Sequence, residues 1–251
     1  MQFLAGASAC ARKREIEKLR KILSFINLIV TGIFLSTVFI IVSLVDRKGE
    51  KGHRIRRFWA DLHLKVCGIH VSLKGLDNIK KPPYIIMCNH QSALDIYALL
   101  SSLPLSFKWI AKRQIFFIPF IGWAMKCAGD ISLDRENPRE ALKAIEDAAR
   151  KIREGTNIII FPEGTRSKDG TLLPFKKGVF SLALRAGVPI VPVGIYGTSR
   201  LQPKGSFIPR EKGVIYMNIG EAIHIADKGR AAKTEVMNEV RAEIGRLIGE
   251  R

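Results

Sequence analysis

The sequence predicts an α/β fold in which a mostly parallel sheet is flanked by helices, preceded by an N-terminal membrane-associated helical segment. Short β-branched apolar runs alternate with helical patterns from about residue 71 onward, and such alternation indicates parallel strands with helices on both faces. Residues 22–45 contain no charged side chain. We therefore divide the chain into a basic flank (1–21), a helical membrane motif (22–70) and an α/β domain (71–251).

The apolar segment from Ile22 to Val45 is long enough to cross a hydrocarbon core of about 30 Å. Its length and the absence of a small-residue cleavage site argue against a removed signal peptide. Six basic residues lie between positions 12 and 21 and six more between 47 and 57, so the preference of basic flanks for the cytoplasm favours neither orientation. Three arrangements stay open: a re-entrant hairpin bent at Gly32, a helix lying in one leaflet, and a tilted single span. We favour association with one leaflet.

Residues 54–69 predict a second, amphipathic helix after a charged, glycine-containing linker at 46–53. Its apolar positions repeat at helical spacing opposite a basic face: Ile55, Phe58, Trp59, Leu62, Val66 and Ile69. A basic amphipathic helix that carries tryptophan is typical of a membrane interface. An ordinary helix packed on the domain fits the same pattern.

The charge balance narrows the possible partners. The chain has 41 basic and 23 acidic residues, a formal net charge of +18, which suits nucleic acid, anionic lipid headgroups or acidic soluble ligands. Because a membrane segment is present and no nucleic-acid motif is, we expect contact with a lipid leaflet and no nucleic-acid binding. The four cysteines form no CxxC pair and no metal-ligand spacing, so we expect reduced thiols, a cytoplasm-facing domain and no metal site.

The α/β domain is read as seven strands and four helices. The strand-like runs are Val71–Leu73, Tyr84–Cys88, Phe107–Ala111, Asp130–Leu133, Asn157–Phe161, Ile190–Ile195 and Val214–Ile219. The helical patterns are Ser92–Ser101, Arg139–Arg153, Lys177–Ala186 and Lys233–Ile248. Pro138 and Gly187 fit the signals for a helix start and a helix stop. Ligands bind beyond the carboxyl ends of the strands in such sheets, so residues that follow strands are the first candidates for a site.

The first such candidate is the pair His90 and Asp95, which follows the strand at 84–88. An imidazole can remove a proton near neutral pH while a carboxylate holds its other nitrogen. Five residues on a helix are about 140° apart, so the pair requires His90 in the turn before the helix and Asp95 in its first turn. The alternative is structural, because Ser92-x-x-Asp95 also fits a helix capping box.

The second candidate, Phe161-Pro162-Glu163-Gly164-Thr165-Arg166-Ser167, follows the strand at 157–161. Together with Asn89-His90-x-x-x-x-Asp95 it resembles the glycerolipid acyltransferases. Two weaker blocks of that family occur in the same order, at residues 129–135 and 188–193, so the resemblance covers about 82–193. Ser132 departs from the bulky apolar residue usual in the family, which bears on acceptor or acyl-chain preference.

The resemblance implies a glycerol-phosphate acyltransferase-like fold and an enzyme of phospholipid biosynthesis. The implied reaction moves a fatty acyl group from acyl-CoA or acyl-carrier protein to the sn-2 hydroxyl of 1-acyl-glycerol-3-phosphate (lysophosphatidic acid), giving phosphatidic acid, with no cofactor. Membrane lipids, the acceptor and the donor are the implied partners. The alternatives are another acceptor such as glycerol 3-phosphate, a thioester hydrolase, and a catalytically silent lipid-binding protein.

The resemblance also implies roles for individual residues. His90 is expected to be the general base and Asp95 its orienting carboxylate, without an acyl-enzyme. Arg166, with the turn Glu163-Gly164-Thr165, is expected to bind the acceptor phosphate, and Glu163 either orients Arg166 or accepts an acceptor hydroxyl. Two further cations, Lys112 and Arg135, are candidate contacts for the same phosphate or acceptor.

The apolar run from Ile115 to Trp123 lies between these motifs. It is too short to span a bilayer and is broken by Pro119. It is predicted either to line an acyl-chain tunnel or dip into the leaflet, or to be a plain core helix.

Overall fold

The computed structural model describes residues 2–46, 49–134 and 136–249 of the chain. The α-helices in this part are α1 (Gln2–Ser43), α2 (Glu50–Cys67), α3 (Leu94–Ser102), α4 (Ile121–Cys127), α5 (Pro138–Arg153), α6 (Lys177–Ala186), α7 (Thr198–Leu201) and α8 (Lys233–Gly249). The strands are β1 (Ile69–Lys74), β2 (Ile85–Cys88), β3 (Phe107–Lys112), β4 (Ile131–Leu133), β5 (Asn157–Ile160), β6 (Ile190–Tyr196) and β7 (Gly213–Ile219). Short 3-10 helices occur at Leu76–Asn78, Arg113–Phe117 and Arg230–Ala232.

The strands form one seven-stranded sheet in the order β1-β7-β6-β2-β5-β3-β4. All neighbouring pairs are parallel except β6 and β7, which are antiparallel. The central strands β2 and β5 are buried at every position, as expected when helices cover both faces of a sheet. The prediction of a mostly parallel sheet flanked by helices is confirmed.

Two apolar layers hold these helices on the sheet. On one face, α2 and α3 pack on side chains of alternate strand positions such as Ile86, Ile159 and Val193. On the other face, α5, α6 and α8 pack on the intervening positions, for example Ile85 and Ile158. This two-sided burial follows from the alternation of side chains along a strand.

The parallel register brings the two sequence motifs to the same edge of the sheet. Met87 of β2 lies opposite Ile160 of β5, so the segments that leave these strands emerge side by side. Asn89 fixes the first of them, because its side chain donates to the carbonyl of Ile195 and accepts from its amide at 2.8 and 2.7 Å. The candidate residues near 90 and 163 are therefore neighbours although 73 residues separate them.

Helix α1 differs in one respect from the sequence expectations. It runs without interruption from Gln2 to Ser43, so the re-entrant hairpin at Gly32, one of the three arrangements left open by the sequence, does not form. Gly32 instead faces Trp59 of α2, where a Cβ would lie 3.7 Å from the indole ring. The segment 17–43 is the stretch of the described chain that is long and apolar enough to cross a membrane, and only 11% of its most apolar window is buried within the protein.

Polar side chains on one side of α1 bind α2. Arg20 donates to the carbonyl of Cys67 at 3.1 Å, Asn27 bonds the ring of His63 at 3.3 Å, and the indole N–H of Trp59 donates to Thr31 at 3.1 Å. Because the spacing of these α1 positions is helical, they form one seam along the α1–α2 contact. The polar residues inside the apolar segment are thereby explained.

Helix α2 packs on the domain, and part of its apolar stripe joins the core. Ala60, Leu64 and Cys67 belong to the buried cluster beneath it, whereas Phe58 is 57% exposed. The helix ends at Cys67, because Gly68 adopts a left-handed conformation and its N–H caps the last turn. Ile69 begins β1, so its assignment to the amphipathic helix is wrong. The proposed boundary near residue 70 stays a prediction.

Candidate active site

His90 and Asp95 lie in contact at the start of α3. The Nδ1 atom of His90 is 2.8 Å from Oδ2 of Asp95, the carboxylate is fully buried, and the imidazole is 15% exposed. The same carboxylate oxygen accepts the backbone N–H groups of Gln91 and Ser92 at 2.7 and 2.8 Å. Asp95 therefore caps the turn and holds the histidine at once, and the two alternatives drawn from the sequence coexist.

The ring of His90 is also fixed by an aromatic neighbour. It stacks on Phe161 with ring centroids 3.8 Å apart and planes inclined by 15°, and Phe161 in turn stacks on Trp109 at 5.9 Å. With Nδ1 bonded to Asp95 and one face covered, Nε2 is the ring nitrogen left for a substrate. The orientation required of a general base is thus present before any substrate binds.

Glu163 braces the backbone around His90. Its two oxygens accept the N–H groups of His90 at 2.6 Å and of Leu173 at 2.8 Å, and the carbonyl of His90 accepts the N–H of Ser167 at 2.8 Å. Burial raises the pKa of Glu163, and the two amide hydrogen bonds oppose that rise. Within the described residues it forms no ion pair with Arg166, so the expectation that Glu163 orients Arg166 is replaced by a brace between two loops.

The substitution Glu163→Gln tests this assignment. The amide group can accept only one of the two backbone N–H groups, which leaves a buried donor facing another donor and costs about 1–3 kcal/mol of unfolding free energy. Because His90 shifts with its backbone, we expect kcat to fall roughly ten- to a hundredfold with little change in the KM for the acceptor. Glu154→Gln, at an exposed position of the loop after α5, is the matched control. A rise in acceptor KM at unchanged kcat would instead place Glu163 on the acceptor.

Arg166 carries the free cation of the second motif. Its side chain is partly exposed, and within residues 2–46, 49–134 and 136–249 no hydrogen bond or ion pair engages the guanidinium. Its carbonyl and the hydroxyl of Thr165 accept from the ammonium of Lys204 at 2.7 and 3.1 Å. Gly164 supplies the left-handed conformation of the turn, with φ of 72°. A fork of unpaired N–H donors in this position suits a phosphate.

Of the two further cations predicted to contact the acceptor, Lys112 and Arg135, only the first lies within the described residues. Lys112 ends β3 and lines the same cavity as His90 and Arg166. Arg135 lies outside the described residues. Its predicted contact with the acceptor therefore stays a prediction.

A cavity of about 370 Å³ joins these groups, a size within the usual range for small-molecule sites. His90, Lys112, Gly164, Thr165 and Arg166 line its polar end. The remaining walls come from α1, α2, α3, β3 and α4, with side chains such as Leu35, Phe39, Trp59, Leu100, Ile121 and Met125. An apolar cavity that opens beside a base and a free guanidinium suits an amphiphile with an anionic head.

The cavity extends along the sheet from its carboxyl edge. Its lining also includes Arg56 and Asp130, a buried ion pair with an N–O distance of 3.1 Å. Asp130 accepts the N–H of Trp109, three residues before Lys112, so the pair lies roughly 10 Å down the strand from the polar end. Burial raises the pKa of Asp130, and the guanidinium of Arg56 opposes that rise.

The run from Ile115 to Trp123 has some side chains in the cavity and others exposed at the surface. It folds as the 3-10 helix Arg113–Phe117 followed by the first turn of α4. Ile115 and Ile121 line the cavity, whereas Phe117, Ile118 and Trp123 are 65%, 46% and 48% exposed. Its exposed side chains make it distinct from a plain core helix.

Sequence reasoning missed several residues of the site. Phe161 stood inside the second motif but was read only as the end of a strand, and an aromatic residue at that position was the available signal. The contributions of α1 and of Lys204 had no local signal, because they reach the site from 50 or more residues before His90 and from 38 residues beyond Arg166.

Comparisons with known proteins agree with this geometry. The acyltransferase family model matches residues 70–196. The chain is 38% identical over 224 residues to the chloroplast 1-acyl-sn-glycerol-3-phosphate acyltransferase BAT2 of Brassica napus, covering 86% of this chain and 64% of that protein. It is 32% identical over 196 residues to the 1-acyl-sn-glycerol-3-phosphate acyltransferase of Pseudomonas aeruginosa, covering 77% of this chain and 75% of that protein.

One solved structure is similar to this chain over nearly the whole length of both proteins. The crystal structure of the 1-acyl-sn-glycerophosphate acyltransferase PlsC from Thermotoga maritima matches with a TM-score of 0.79 and 27% identity, covering 95% of this chain and 98% of that one. By contrast, the chain spans 64% and 60% of the lengths of the two chloroplast relatives from Brassica napus and Arabidopsis thaliana.

Proposed function

The chain belongs to the acyltransferase family, and from that premise we propose that it acylates the sn-2 hydroxyl of 1-acyl-glycerol-3-phosphate to give phosphatidic acid. The donor is a fatty acyl thioester, either acyl-CoA or acyl-carrier protein, which acts as co-substrate. The names of the relatives support the acceptor. No cofactor enters the mechanism proposed below.

One observation carries the proposal. A single cavity connects the imidazole of His90, the free guanidinium of Arg166 and an apolar interior. The reaction needs these three features together: a base for the hydroxyl, a cation for the phosphate and an apolar space for an acyl chain. A protein that only binds lipid has no use for the buried His90–Asp95 pair.

His90 is the proposed general base. With Nδ1–H donated to Asp95, Nε2 accepts the hydroxyl proton as the hydroxyl oxygen attacks the thioester carbonyl, which forms the new C–O bond. The carbonyl oxygen becomes an oxyanion, and collapse of the tetrahedral intermediate breaks the C–S bond. The imidazolium then returns its proton to the thiolate, so that ester and thiol leave and the enzyme is restored without an acyl-enzyme.

The oxyanion requires a donor close to His90. Ala93 lines the cavity and precedes the first residue of α3. Among the described residues its backbone N–H has no acceptor, as is usual for the first donors of a helix. We assign the oxyanion to this end of α3.

The phosphate of the acceptor is proposed to bind between Arg166 and Lys112. Both line the polar end of the cavity, and a bidentate guanidinium adds orientation to charge. The hydroxyl of Thr165, at the same end of the cavity, supplies a further polar contact. Binding the phosphate there positions the glycerol hydroxyls toward His90.

Membrane association is proposed to occur in one leaflet, with the α/β domain facing the cytoplasm. The polar seam from Arg20 to Thr31 attaches one side of α1 to α2, while the opposite side carries exposed apolar residues such as Phe25, Ile29 and Ile33. A helix attached to the domain along its length presents only one side to lipid, as interfacial helices do. The acceptor then reaches the cavity from the leaflet.

An acceptor-selection assay tests the proposed function. Purified full-length protein receives palmitoyl-CoA or palmitoyl-acyl-carrier protein with lysophosphatidate, glycerol 3-phosphate or no acceptor. We expect phosphatidic acid only with lysophosphatidate, and thiol release that depends on that acceptor. Thiol release at the same rate without acceptor identifies a thioester hydrolase. Product with glycerol 3-phosphate but not with lysophosphatidate identifies an enzyme that acylates glycerol 3-phosphate instead. Absence of turnover with all three refutes an acyltransferase role.

A further inference from the structure

The loop 203–212, between α7 and β7, carries an aromatic side chain that the fold does not use. Phe207 is 75% exposed, more than Phe34, Phe58 or Phe117. An exposed phenylalanine is unfavourable in water unless another apolar phase covers it. The proposed reaction gives this residue no role.

The loop holds Phe207 outward by its own hydrogen bonds. The backbone N–H of Ser206 donates to the carbonyl of Pro203 at 3.0 Å, and its hydroxyl donates to the carbonyl of Ile208 at 2.7 Å. The side chain of Gln202 donates to the carbonyl of Ser206 at 3.0 Å. The backbone on both sides of Phe207 is therefore fixed, and the ring is displayed by a built turn.

The exposed charges around Phe207 are mainly positive. Lys204, Arg210 and Lys212 are exposed, and Glu211 is the acidic residue of the loop. The carboxylate of Glu211 pairs with Arg200, which lies outside the loop, at 3.4 Å. Glu211 therefore forms its ion pair with a residue other than Lys204, Arg210 and Lys212. An aromatic ring among basic side chains matches the chemistry of an anionic lipid surface.

The loop contacts α1 at Arg20, the first residue of the polar seam between α1 and α2. The guanidinium of Arg20 donates to the carbonyl of Arg210 at 3.1 Å. The neighbours of Arg20 on α1, Leu19 and Leu23, are 58% and 51% exposed, and the basic residues Lys18 and Lys21 are exposed beside them. The loop thus contacts α1 where its exposed side chains change from basic to apolar, a combination that suits contact with headgroups and acyl chains together.

The loop also contacts the phosphate-binding turn. Lys204 donates to the hydroxyl of Thr165 at 3.1 Å and to the carbonyl of Arg166 at 2.7 Å. The loop therefore touches the turn that holds the free guanidinium through Lys204, and it touches α1 through Arg210. A contact between the loop and a membrane therefore sets the depth of Arg166 relative to the headgroups.

We infer that the loop 203–212 is a second contact with an anionic leaflet, in which Phe207 inserts and its basic neighbours bind headgroups. In this arrangement the phosphate of a membrane-embedded acceptor meets Arg166 without leaving the headgroup layer. The inference rests on the proposed function for its purpose. The membrane contact itself can be measured without any turnover.

The contact is tested with a tryptophan at position 207. Phe207→Trp protein is mixed with vesicles of phosphatidylcholine and phosphatidylglycerol, with and without lipids brominated near the headgroup end of the acyl chain. Since Trp59, Trp109 and Trp123 are common to all variants, the emission of the wild-type protein is subtracted. We expect the added emission to shift to shorter wavelength and to be quenched by the brominated lipid. Unquenched emission at the wavelength seen in water overturns the inference.

Leu142→Trp is the matched control. Leu142 is 48% exposed and lies on α5, which covers the face of the sheet opposite α2. Its tryptophan is expected to stay unquenched on the same vesicles. Equal quenching at positions 142 and 207 shows non-specific adsorption and also overturns the inference.

Turnover gives a second, separate readout. Phe207→Asp is expected to lower the rate with lysophosphatidate embedded in vesicles roughly tenfold, the effect of losing one buried aromatic contact. The rate with a short-chain, water-soluble lysophosphatidate is expected to stay at the wild-type value. An equal loss with both acceptors places Phe207 in the site instead of the membrane contact. If the wild-type protein is inactive with both acceptors, the proposed function is refuted. The quenching result still decides whether the loop contacts the membrane.

Discussion

Replacing His90 with alanine is expected to lower kcat for phosphatidic acid formation by roughly 10²–10⁴-fold, the usual contribution of a positioned general base. The acceptor hydroxyl then has to attack without losing its proton to the enzyme. The KM for lysophosphatidate is expected to stay close to the wild-type value, because phosphate binding is assigned to Arg166. Initial rates at saturating acyl-CoA, with the acceptor varied, measure both constants. A His90→Ala variant that retains more than a tenth of wild-type kcat contradicts the mechanism.

Asp95→Asn separates the two roles that Asp95 has in the structure. The backbone N–H groups of Gln91 and Ser92 need an acceptor at the position of Oδ2, so the amide oxygen is expected to take that place and keep the turn. Nδ1 of His90 then still donates, but the imidazolium loses the negative charge beside it. We expect a smaller fall in kcat than for His90→Ala, with the melting temperature nearly unchanged. Wild-type turnover in this variant reduces Asp95 to a cap.

The sheet and the location of the site were predictable because their signals are local. Runs such as 84–88 and 157–161 are short, apolar and partly β-branched. Each is followed closely by polar residues whose side chains can act in catalysis or bind a ligand. Parallel strands put such ends at one edge, so a shared edge for His90 and Glu163 follows from the fold class. Their direct contact also needed β2 and β5 to be adjacent, which the sequence did not predict. The five-residue spacing required His90 to lie before the helix and Asp95 in its first turn, as the structure has them.

The features of the site that were not predicted depend on contacts between segments that are distant in the sequence. Glu163 was expected either to orient Arg166 or to accept an acceptor hydroxyl, yet its oxygens bind the amides of His90 and Leu173. Sequence spacing does not reveal which backbone donors a buried carboxylate will find. The cavity wall formed by α1 and the contact between Lys204 and the Arg166 turn could not be predicted for the same reason, because each joins segments that are far apart in the sequence. The re-entrant bend at Gly32, one of the arrangements left open by the sequence, does not form because α1 continues through Gly32, and a glycine inside a helical pattern does not by itself end the helix.

Arg166→Ala is expected to raise the KM for lysophosphatidate by roughly ten- to a hundredfold, with a smaller effect on kcat. The guanidinium makes no hydrogen bond to the described part of the protein, so its removal leaves no buried partner unsatisfied and the fold is expected to persist. The lost interaction is a charge-assisted hydrogen bond, worth about 1.5–3 kcal/mol. Arg166→Lys keeps the charge but loses the two-pronged geometry, and an intermediate KM is expected. Steady-state rates with lysophosphatidate varied at fixed acyl-CoA measure the effect.

Two controls distinguish phosphate binding from a general loss of positive charge. Arg150→Ala removes an exposed arginine of α5 that pairs only with the nearby Asp147, and its acceptor KM is expected to equal that of the wild type. Monoacylglycerol, which lacks the phosphate, is expected to be a poor acceptor for the wild-type protein and no poorer for Arg166→Ala, since effects that share one interaction are not additive. If Arg166→Ala lowers turnover of both acceptors by the same factor, the guanidinium acts on the reacting groups and the phosphate is bound elsewhere.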